Sequence, residues 1–503
     1  MDLSTVLSRA QQGIDAPLVH VEVHISNGLP AFNIVGLPAT AVRESKERVR
    51  SAIMNSHFEW PDRRLTVNLA PADLPKEGGR FDLPIALGIL AASGQIPEQA
   101  LAGKEFIGEL ALCGALRPIS GTVSAAIAAA GCQRCLVVPG PNAANAALVP
   151  GAKILPAVQL LELCANLHGR HKIALADTPT IGAENPYPDL ADVRSQALGK
   201  RALEIAAAGG HNLLFSGPPG TGKTMLASRL PGILPPLSEQ EMLEIMALRS
   251  VIDPTLSPAN CRQRPFRSPH HSASSKALVG GSSIPRPGEI SLAHHGVLFL
   301  DELPEFPRSV LEVLREPLES GEITISRARQ QVTFPAHFQL IAAMNPCPCG
   351  FHGDPQKACR CTPDQIQRYR HRLSGPLLDR IDLLIALPRL PAHILTRDQA
   401  PAESSAQVRQ RVSAARALAI LRCGVINAGL DDAQLRQHCA LKTADRTLLE
   451  STIDKLGFSV RGYHRILRVS RTIADLAESE SIDSPHLVEA LGYRQVNFEN
   501  VTV

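Results

Sequence analysis

Eight residues, 217–224, constrain the fold of this chain more than any other stretch. They read G-P-P-G-T-G-K-T and lie between two apolar runs, residues 213–215 and 225–227, where a buried strand would turn into a helix. The glycines would let successive backbone N–H groups surround a triphosphate, with Lys223 at its terminal phosphates and the Thr224 hydroxyl on Mg²⁺. A loop that merely turns the chain would not need the full G-x-x-x-x-G-K-[ST] spacing. The sequence therefore predicts a site for ATP and Mg²⁺.

A second nucleotide motif is predicted where four large apolar residues, 297–300, end in Asp301 and Glu302. Such a run is typical of a central parallel strand whose carboxyl end meets the nucleotide. Asp301 is then placed to hold Mg²⁺ and Glu302 to polarise the attacking water, although a strand ending in solvated acids would look the same in isolation. The predicted nucleotide and magnesium ligands are Gly217, Pro218, Pro219, Gly220, Thr221, Gly222, Lys223, Thr224 and Asp301.

Length and composition limit the number of domains and the class of protein that can surround this site. A chain of 503 residues is too long for one core and should divide into about three domains. Hydrophobic content of 44% with 20% charged residues is typical of a globular protein, and a net charge of +3 is too small to indicate nucleic acid by itself. The sequence offers neither a long apolar run nor a signal peptide, which predicts a cytoplasmic protein without a membrane contact. Its eleven cysteines are then thiols or metal ligands.

Local patterns predict several elements around the nucleotide motifs. Alternation at residues 19–25, V-H-V-E-V-H-I, favours a half-buried strand near the N-terminus. Helices are expected at residues 39–56 and 85–92, with a strand around residues 65–69. A further helix is expected from about residue 190 to 208, ahead of the phosphate loop. Its expected inward positions are Val193, Ala197, Leu203 and Ala207.

The stretch from Pro71 to Pro84, P-A-D-L-P-K-E-G-G-R-F-D-L-P, is similar to the proteolytic domain of Lon-type proteases. In those enzymes a Gly-rich turn carries a nucleophilic Ser, and a Lys follows further along the chain. Arg80 matches the Ser position here, and Val123 or a neighbour matches the Lys, so the groups that activate peptide hydrolysis are missing. The resemblance implies a Lon-protease-like domain without its catalytic dyad over residues 1–168.

Three more stretches accompany the nucleotide motifs. Residues 264–271, R-P-F-R-S-P-H-H, are too rich in proline for a core helix. Residues 320–334 are predicted to form two strands around a basic tip. Residues 340–344 are predicted to be a buried strand that ends at Asn345, in a position to sense the terminal phosphate.

Six motifs in a fixed order, GPPGTGKT, RPFRSPHHS, GEISLAHHGVLFLDELPEF, SGEITISRA, AAMNPCPCG and GPLLDRIDL, resemble those of the magnesium-chelatase-like AAA+ ATPases. The resemblance extends over nearly the whole chain. It implies an α/β multidomain protein, with an AAA+ P-loop core and its parallel sheet at residues 191–388 and a helical C-terminal lid at residues 406–503. Proline-bearing linkers are expected at residues 169–190 and 389–405.

The same resemblance implies roles for individual residues. Asn345 matches sensor 1, Arg380 in L-L-D-R-I-D matches the arginine finger, and Arg461 in S-V-R-G-Y-H-R matches sensor 2. Arg465, one helical turn after Arg461, is an alternative for sensor 2, and a surface salt bridge is the alternative for each arginine. With Glu302, these residues form the predicted catalytic set. A basic stripe on the same lid helix is predicted to consist of Arg461, His464, Arg465, Arg468 and Arg471.

A trans-acting Arg380 has a physical basis of its own. Charge spreads over the γ-phosphoryl group in the transition state and needs a cation that the phosphate loop does not supply. A neighbouring subunit can supply it through a heterologous interface, and such interfaces close into rings. The family resemblance implies a homo-oligomer of six subunits.

Four cysteines lie between the expected sensor and the expected finger. Cys347 and Cys349 form one C-x-C pair and Cys359 and Cys361 another, with nine residues between the pairs. Two such pairs can assemble a tetrahedral zinc site that braces the excursion. Four reduced thiols at the base of a loop remain the alternative.

The resemblance implies a ring-forming, ATP-driven motor on single-stranded or branched DNA. Its expected work is helicase activity or branch migration in the homologous recombination of incoming DNA during natural transformation, with the recombination machinery as a possible partner. DNA contacts are expected at Arg327 and Arg329 on the hairpin tip and at Arg267, because the family would point both segments into the pore.

Two other functions are weighed against this one. A chelatase-type ATPase would remodel a partner protein for metal insertion into a tetrapyrrole, but no metal-delivery tract is visible and the Lon-like domain resembles that of a bacterial recombination protein. An ATP-dependent protease is disfavoured by Arg80. DNA-stimulated ATP hydrolysis would separate the motor from both alternatives.

Overall fold

The N-terminal part of the chain is a mixed sheet covered by helices. In this computed structural model, the described residues are 2–36, 40–179, 187–281, 285–327, 330–389, 402–456 and 459–494. Within them one sheet has the strand order β3-β4-β2-β1-β5-β8-β9, and β6 pairs with β7. The elements are β1 (Leu3–Arg9), β2 (Leu18–Ser26), β3 (Ala31–Val35), α1 (Thr40–Asn55), β4 (Arg64–Ala70), α2 (Asp82–Ala92), β5 (Lys104–Phe106), β6 (Glu109–Leu110), β7 (Leu116–Arg117), α3 (Thr122–Gly131), β8 (Cys135–Pro139), α4 (Ala143–Ala146), β9 (Lys153–Ala157) and α5 (Leu160–Leu167).

The alternating pattern at residues 19–25 correctly predicts strand β2, whose valines and Ile25 are buried. Helix α2 is buried throughout, packed against β1, β2 and α1, and after Asp82 at its first position it is apolar on every side. Gly88 permits this close packing, since a Cβ there would lie 2.5 Å from Val23 Cγ2. The helices expected at residues 39–56 and 85–92 and the strand at 65–69 are therefore confirmed, with end points shifted by a few residues.

The second sheet is parallel throughout and has the order β11-β12-β15-β10-β16. The phosphate-loop strand β10 is thus flanked by two buried strands. A separate hairpin, β13–β14, projects from the polypeptide between β12 and β15. The elements are α6 (Ala197–Gly209), β10 (Leu213–Ser216), α7 (Lys223–Ala227), α8 (Leu230–Ile233), α9 (Glu239–Ile252), β11 (Phe266–Arg267), α10 (Ser275–Val279), α11 (Glu289–Leu292), β12 (Val297–Leu300), α12 (Arg308–Val313), α13 (Pro317–Ser320), β13 (Glu322–Arg327), β14 (Gln330–Pro335), β15 (Gln339–Met344), α14 (Pro363–Arg370), α15 (Gly375–Leu378) and β16 (Leu383–Ala386).

The C-terminal part is helical, as expected. Its helices are α16 (Ser405–Cys423), α17 (Asp432–His438), α18 (Thr443–Leu456), α19 (Val460–Leu476) and α20 (Ser484–Gly492). The mixed α/β architecture with a parallel sheet and C-terminal helices agrees with what the sequence predicts.

One helical stretch in the described part of the chain, Ser405–Gly429, is long and apolar enough to cross a membrane by length and composition alone. No such run was expected from the sequence. Val408 and Val412 of this stretch are buried in the protein core, and Arg416 donates a hydrogen bond to the carbonyl oxygen of Ala207 in α6. One side of the stretch therefore packs on the core, whereas Leu418, Ile420 and Leu421 are exposed.

Helix α9 connects the N-terminal part to the parallel sheet. Met242 and Met246 on α9 belong to a hydrophobic cluster that also contains residues of α3, α4 and β8. The backbone N–H of Gly121 donates to the Ser250 carbonyl oxygen at 2.8 Å, and Asn142 Nδ2 donates to that of Pro254 at 2.7 Å. The two parts of the chain therefore share a continuous apolar interface.

Candidate nucleotide-binding site

The phosphate loop joins strand β10 to helix α7, as the sequence predicts. Gly220 and Gly222 have φ angles of 79° and 88°, a conformation that side chains rarely adopt. Lys223 Nζ is nearly buried and donates to the carbonyl oxygens of Gly217 at 2.6 Å and Pro218 at 3.0 Å. Burial lowers the pKa of Lys223, although the nearby carboxylates oppose this shift. The loop therefore presents an ammonium group from a glycine-defined turn.

The acidic pair follows strand β12 and faces the loop. Asp301 Oδ2 accepts a hydrogen bond from the Thr224 hydroxyl at 2.7 Å, so the two predicted magnesium ligands lie in direct contact. Asn345 follows the neighbouring strand β15, and its Oδ1 lies 3.1 Å from Lys223 Nζ. Three adjacent strands, β12, β15 and β10, thus bring these residues together at their carboxyl ends. Oxygen ligands of this kind suit Mg²⁺.

Glu302 has the left-handed backbone conformation, with φ of 53°, which is uncommon outside glycine and asparagine. Its Oε2 lies 3.2 Å from His271 Nδ1, in the proline-rich stretch after β11. That stretch stands out in the sequence, but no local pattern connects His271 with Glu302. A strained backbone together with an imidazole 3.2 Å away indicates that the surrounding structure fixes this carboxylate in place.

The phosphate loop and the acidic pair line a cavity of about 640 Å³. Residues 219–225, both acids and Asn345 lie in its wall, and its size, phosphate loop and oxygen ligands fit a nucleotide with Mg²⁺. A further segment in the wall, containing Asp192, Val193, Arg194 and Gln196, was not predicted to contribute. Gln196 Nε2 donates to the carbonyl oxygens of Thr221 at 3.0 Å and Pro388 at 3.2 Å, so this segment is fixed to the loop.

Arg380 and Arg461 lie elsewhere. They line a second cavity of about 810 Å³ between the parallel sheet and the lid, and none of the residues in its wall belongs to the nucleotide cavity. Arg380 is buried, with Nη2 2.5 Å from Glu319 Oε1, and it donates to the carbonyl oxygens of Arg315 and Pro376. The structure therefore brings the two predicted arginines together, but not with the phosphate loop of their own chain.

The contacts of the lid arginines distinguish the two candidates for sensor 2. Arg461 is exposed and has no ion-pair or hydrogen-bond partner among the described residues. Arg465 instead forms a 2.6 Å ion pair with the buried Asp382 beside β16. Burial alone would raise the pKa of Asp382, but Arg465 and His211 outweigh it and hold that pKa far below its usual range. Arg465 thus anchors the lid, whereas the Arg461 side chain is exposed at the same cavity.

The predicted DNA contacts are only partly described. Strands β13 and β14 form the expected hairpin, and Arg327 ends β13 opposite Gln330. The Arg327 side chain and all of Arg329 lie outside the described residues. Arg267 is half-exposed and forms a bidentate ion pair with Glu289 at 2.6 and 2.7 Å, so a phosphate there would compete with that carboxylate.

The four predicted cysteines converge. Their sulfur atoms all lie within 4.8 Å of one another, and the Sγ atoms of Cys347, Cys349 and Cys359 are 3.4 to 3.6 Å apart. Sulfurs in a tetrahedral zinc site, with Zn–S bonds near 2.3 Å, are separated by about 3.8 Å. The cluster begins two residues after Asn345, and Gly350 within it lies against Pro219 of the phosphate loop.

The arrangement of loop, acidic pair and polar residue on three adjacent parallel strands, with a helical lid, defines a P-loop nucleotide-binding protein of the AAA+ class. Three family descriptions match the chain: magnesium chelatase subunit ChlI at residues 189–395, subunit ChlI of Mg-chelatase at residues 21–142, and the C-terminal part of that subunit at residues 402–494.

Two curated relatives extend over almost the full chain. Competence protein ComM of Haemophilus influenzae is 53% identical over 500 residues, covering 98% of each protein. The uncharacterized protein YifB of Escherichia coli is 52% identical, covering 99% of this chain and 98% of YifB. The magnesium-chelatase 67 kDa subunit of Heliobacterium mobile is 27% identical over a third of this chain. The chain belongs to the ComM/YifB family of magnesium-chelatase-like AAA+ proteins.

Proposed function

We propose that this protein is a ring-forming, ATP-dependent DNA motor with helicase or branch-migration activity. It would act in the cytoplasm, in homologous recombination during natural transformation. The observation that carries the proposal is the 53% identity with a protein named for competence, over nearly the whole of both chains, in a chain whose phosphate loop, acidic pair and Asn345 line one cavity. DNA-stimulated ATP hydrolysis by the purified protein is the first test.

Each residue of the site has a defined task in ATP hydrolysis. Thr224 and Asp301 would hold Mg²⁺, which neutralises charge on the phosphates when bound. Lys223 orients the terminal phosphates, and Asn345 holds the Lys223 ammonium in place. Glu302 accepts a proton from the attacking water.

A neighbouring subunit would complete the site. Arg380 and Arg461 line a basic cavity that is separate from the phosphate loop of their own chain. If that cavity faces the nucleotide of the next subunit, both arginines stabilise charge on its terminal phosphate. Such a contact is heterologous, and a closed ring follows, with six subunits proposed from the family resemblance.

The hairpin tip is proposed to contact DNA phosphates within the pore. The double variant Arg327→Ala with Arg329→Ala should weaken DNA binding alike on all sequences. It should also flatten the salt dependence, by about one unit of log–log slope for each phosphate that the variant no longer binds. Basal ATP hydrolysis and ring assembly should be unchanged, because the nucleotide site lies elsewhere. Salt titrations of DNA binding and a translocation assay measure these effects.

A control for the hairpin variant is Arg436→Ala with Arg446→Ala, which removes the same charge from exposed lid positions. This control should bind and move DNA normally. Unchanged translocation by the hairpin variant would reject the pore assignment, and failure to assemble would indicate an interface element instead.

The cysteine cluster is proposed as a structural zinc site. Purified protein should then carry about one zinc ion per chain, and chelation should lower its melting temperature because metal binding and folding are coupled. Cys359→Ser with Cys361→Ser should lose the ion, whereas Cys113→Ser, at an exposed thiol outside the cluster, should keep it. Elemental analysis and thermal unfolding measure the two effects. A metal-free preparation of full stability would leave four ordinary thiols.

A chelatase-type ATPase is the second candidate, because all three matching families are named for magnesium chelatase. It would use the same ATP site to remodel a partner protein for metal insertion. ATP hydrolysis that is stimulated by a partner subunit but not by DNA would favour the chelatase-type function. For the N-terminal part we keep the proposal of a Lon-protease-like domain without its dyad, supported by a buried arginine at position 80.

A further inference from the structure

The loop between β1 and β2 reaches from the N-terminal domain to the hairpin β13–β14. Gln12 and Asp15 exchange backbone hydrogen bonds of 3.0 and 2.9 Å, which closes a tight turn at Gly13 and Ile14. Gly13 has φ of 61°, and a Cβ there would lie 2.8 Å from Val332 Cγ1 in β14. Ile14 packs against the hydrophobic cluster that contains the buried residues of the hairpin. The turn therefore packs against the middle of strand β14.

A second loop, at Ser120 and Gly121, also contacts the ATPase core, at the C-terminal end of α9. Gly121 donates its backbone N–H to the carbonyl oxygen of Ser250, in the last turn of α9. The side chain of Gln11, from the first loop, lies directly against Gly121, since a Cβ at Gly121 would fall 1.4 Å from Gln11 Oε1. These two loops, each in contact with the ATPase core, thus also contact each other.

Arg80 joins these two loops. Its Nη2 donates to Gln11 Oε1 at 2.9 Å and to the Ser120 carbonyl oxygen at 2.6 Å, and its Nη1 lies 3.4 Å from the Arg9 carbonyl oxygen. Only 6% of the surface of Arg80 is exposed. One guanidinium group therefore binds both loops at once, which the planar fork of arginine allows and a lysine ammonium does less well.

Stability of the N-terminal domain alone does not account for this residue. Burial lowers the pKa of Arg80 to about 10, and the partners described for its guanidinium are amide and carbonyl oxygens rather than carboxylates. A buried charge without a counter-ion is costly, and an apolar side chain of similar volume would fill the same space without that cost. What the apolar side chain would lose is the connection between the loops.

We propose that Arg80 is a positioning residue that locks the loops at Gln11 and Ser120 together, and so sets the direction of the hairpin β13–β14. The N-terminal domain then serves as the support from which the hairpin is held. The consequence for DNA movement rests on the proposed function above, whereas the mechanical link does not.

Hydrogen–deuterium exchange of the full chain tests the link. In Arg80→Met, amide exchange at residues 330–335 and at Gly121, whose N–H donates to Ser250, should rise about tenfold, while exchange in β2 and basal ATP turnover change less than about twofold. Arg80→Lys should be intermediate, because an ammonium group can keep one of the carbonyl contacts. A merely structural role would instead raise exchange throughout the N-terminal sheet.

Two further variants keep the proposal testable if Arg80→Met folds poorly. Gly13→Ala perturbs the turn itself and should free the hairpin without touching Arg80. Arg48→Met disrupts the pair with the buried Asp82 inside the same domain and should leave hairpin exchange unchanged. The link would be overturned if amide exchange of the hairpin in Gly13→Ala stayed at the wild-type rate. It would also be overturned if the hairpin exchanged as fast in Arg48→Met as in Arg80→Met. If wild-type protein does not bind DNA while Arg80→Met still frees the hairpin, the proposed function fails and the link stands.

Discussion

Replacing Glu302 by glutamine is expected to lower ATP turnover by about 10²–10⁴-fold, the usual contribution of a positioned general base, while ATP still binds. An amide cannot accept the proton of the attacking water, whereas Lys223 and the magnesium ligands Thr224 and Asp301 are untouched. Steady-state hydrolysis and equilibrium binding of a fluorescent ATP analogue measure the two quantities.

Glu305→Gln is the matched control for this variant. Glu305 lies three residues further on and forms a surface ion pair with Arg372 at 2.8 Å, so its loss should leave turnover unchanged. If Glu302→Gln retains turnover within about threefold of wild type, the carboxylate does not have the proposed role.

Arg380→Ala is expected to lower turnover by about 10³-fold or more, the effect of losing an arginine finger, with ATP affinity nearly unchanged. The test of its action across a subunit boundary is to mix two inactive variants. Lys223→Ala lacks the phosphate-loop cation, and Arg380→Ala lacks the finger. A mixed ring contains some interfaces in which an intact loop meets an intact finger, so activity should return on mixing if Arg380 acts on its neighbour.

Because Arg380 is buried, its loss could also destabilise the fold. Glu319→Gln separates the two effects, since it removes the carboxylate at 2.5 Å but keeps Arg380 and its carbonyl contacts. We expect Glu319→Gln to retain turnover. If both variants instead lose melting temperature and activity in parallel, and mixing restores nothing, Arg380 is a brace and the finger lies elsewhere.

The nucleotide site could be predicted because its chemistry constrains consecutive residues. The phosphate loop needs glycines, a lysine and a hydroxyl at fixed spacing, and strands β10, β12 and β15 are buried on both faces, so their sequences are continuous apolar runs. The same reasoning explains why strand β2 was predicted correctly. Only one of its faces is buried, so apolar and polar residues alternate along its sequence. Local pattern and global fold agree at these places.

Other features depend on tertiary contacts that no local pattern encodes. The helix expected from about residue 190 begins at Ala197, because Ser195 and Gln196 adopt left-handed conformations where they meet the phosphate loop. Ala197 was expected inward and is exposed. Arg471 was predicted on a basic stripe, yet it is buried and paired with Asp475 one turn later at 3.0 Å. Spacing alone cannot distinguish a charged surface from an internal ion pair.

The apolar face that α9 presents to the N-terminal domain has a consequence for how the protein can be divided. A polypeptide beginning near residue 187 would carry Met242, Met246 and Cys261 into water without the helices that cover them. Exposed apolar patches of this kind promote aggregation. The ATPase part is therefore not expected to be an independent folding unit. Fusions or truncations that remove the first domain should yield insoluble protein rather than a smaller enzyme.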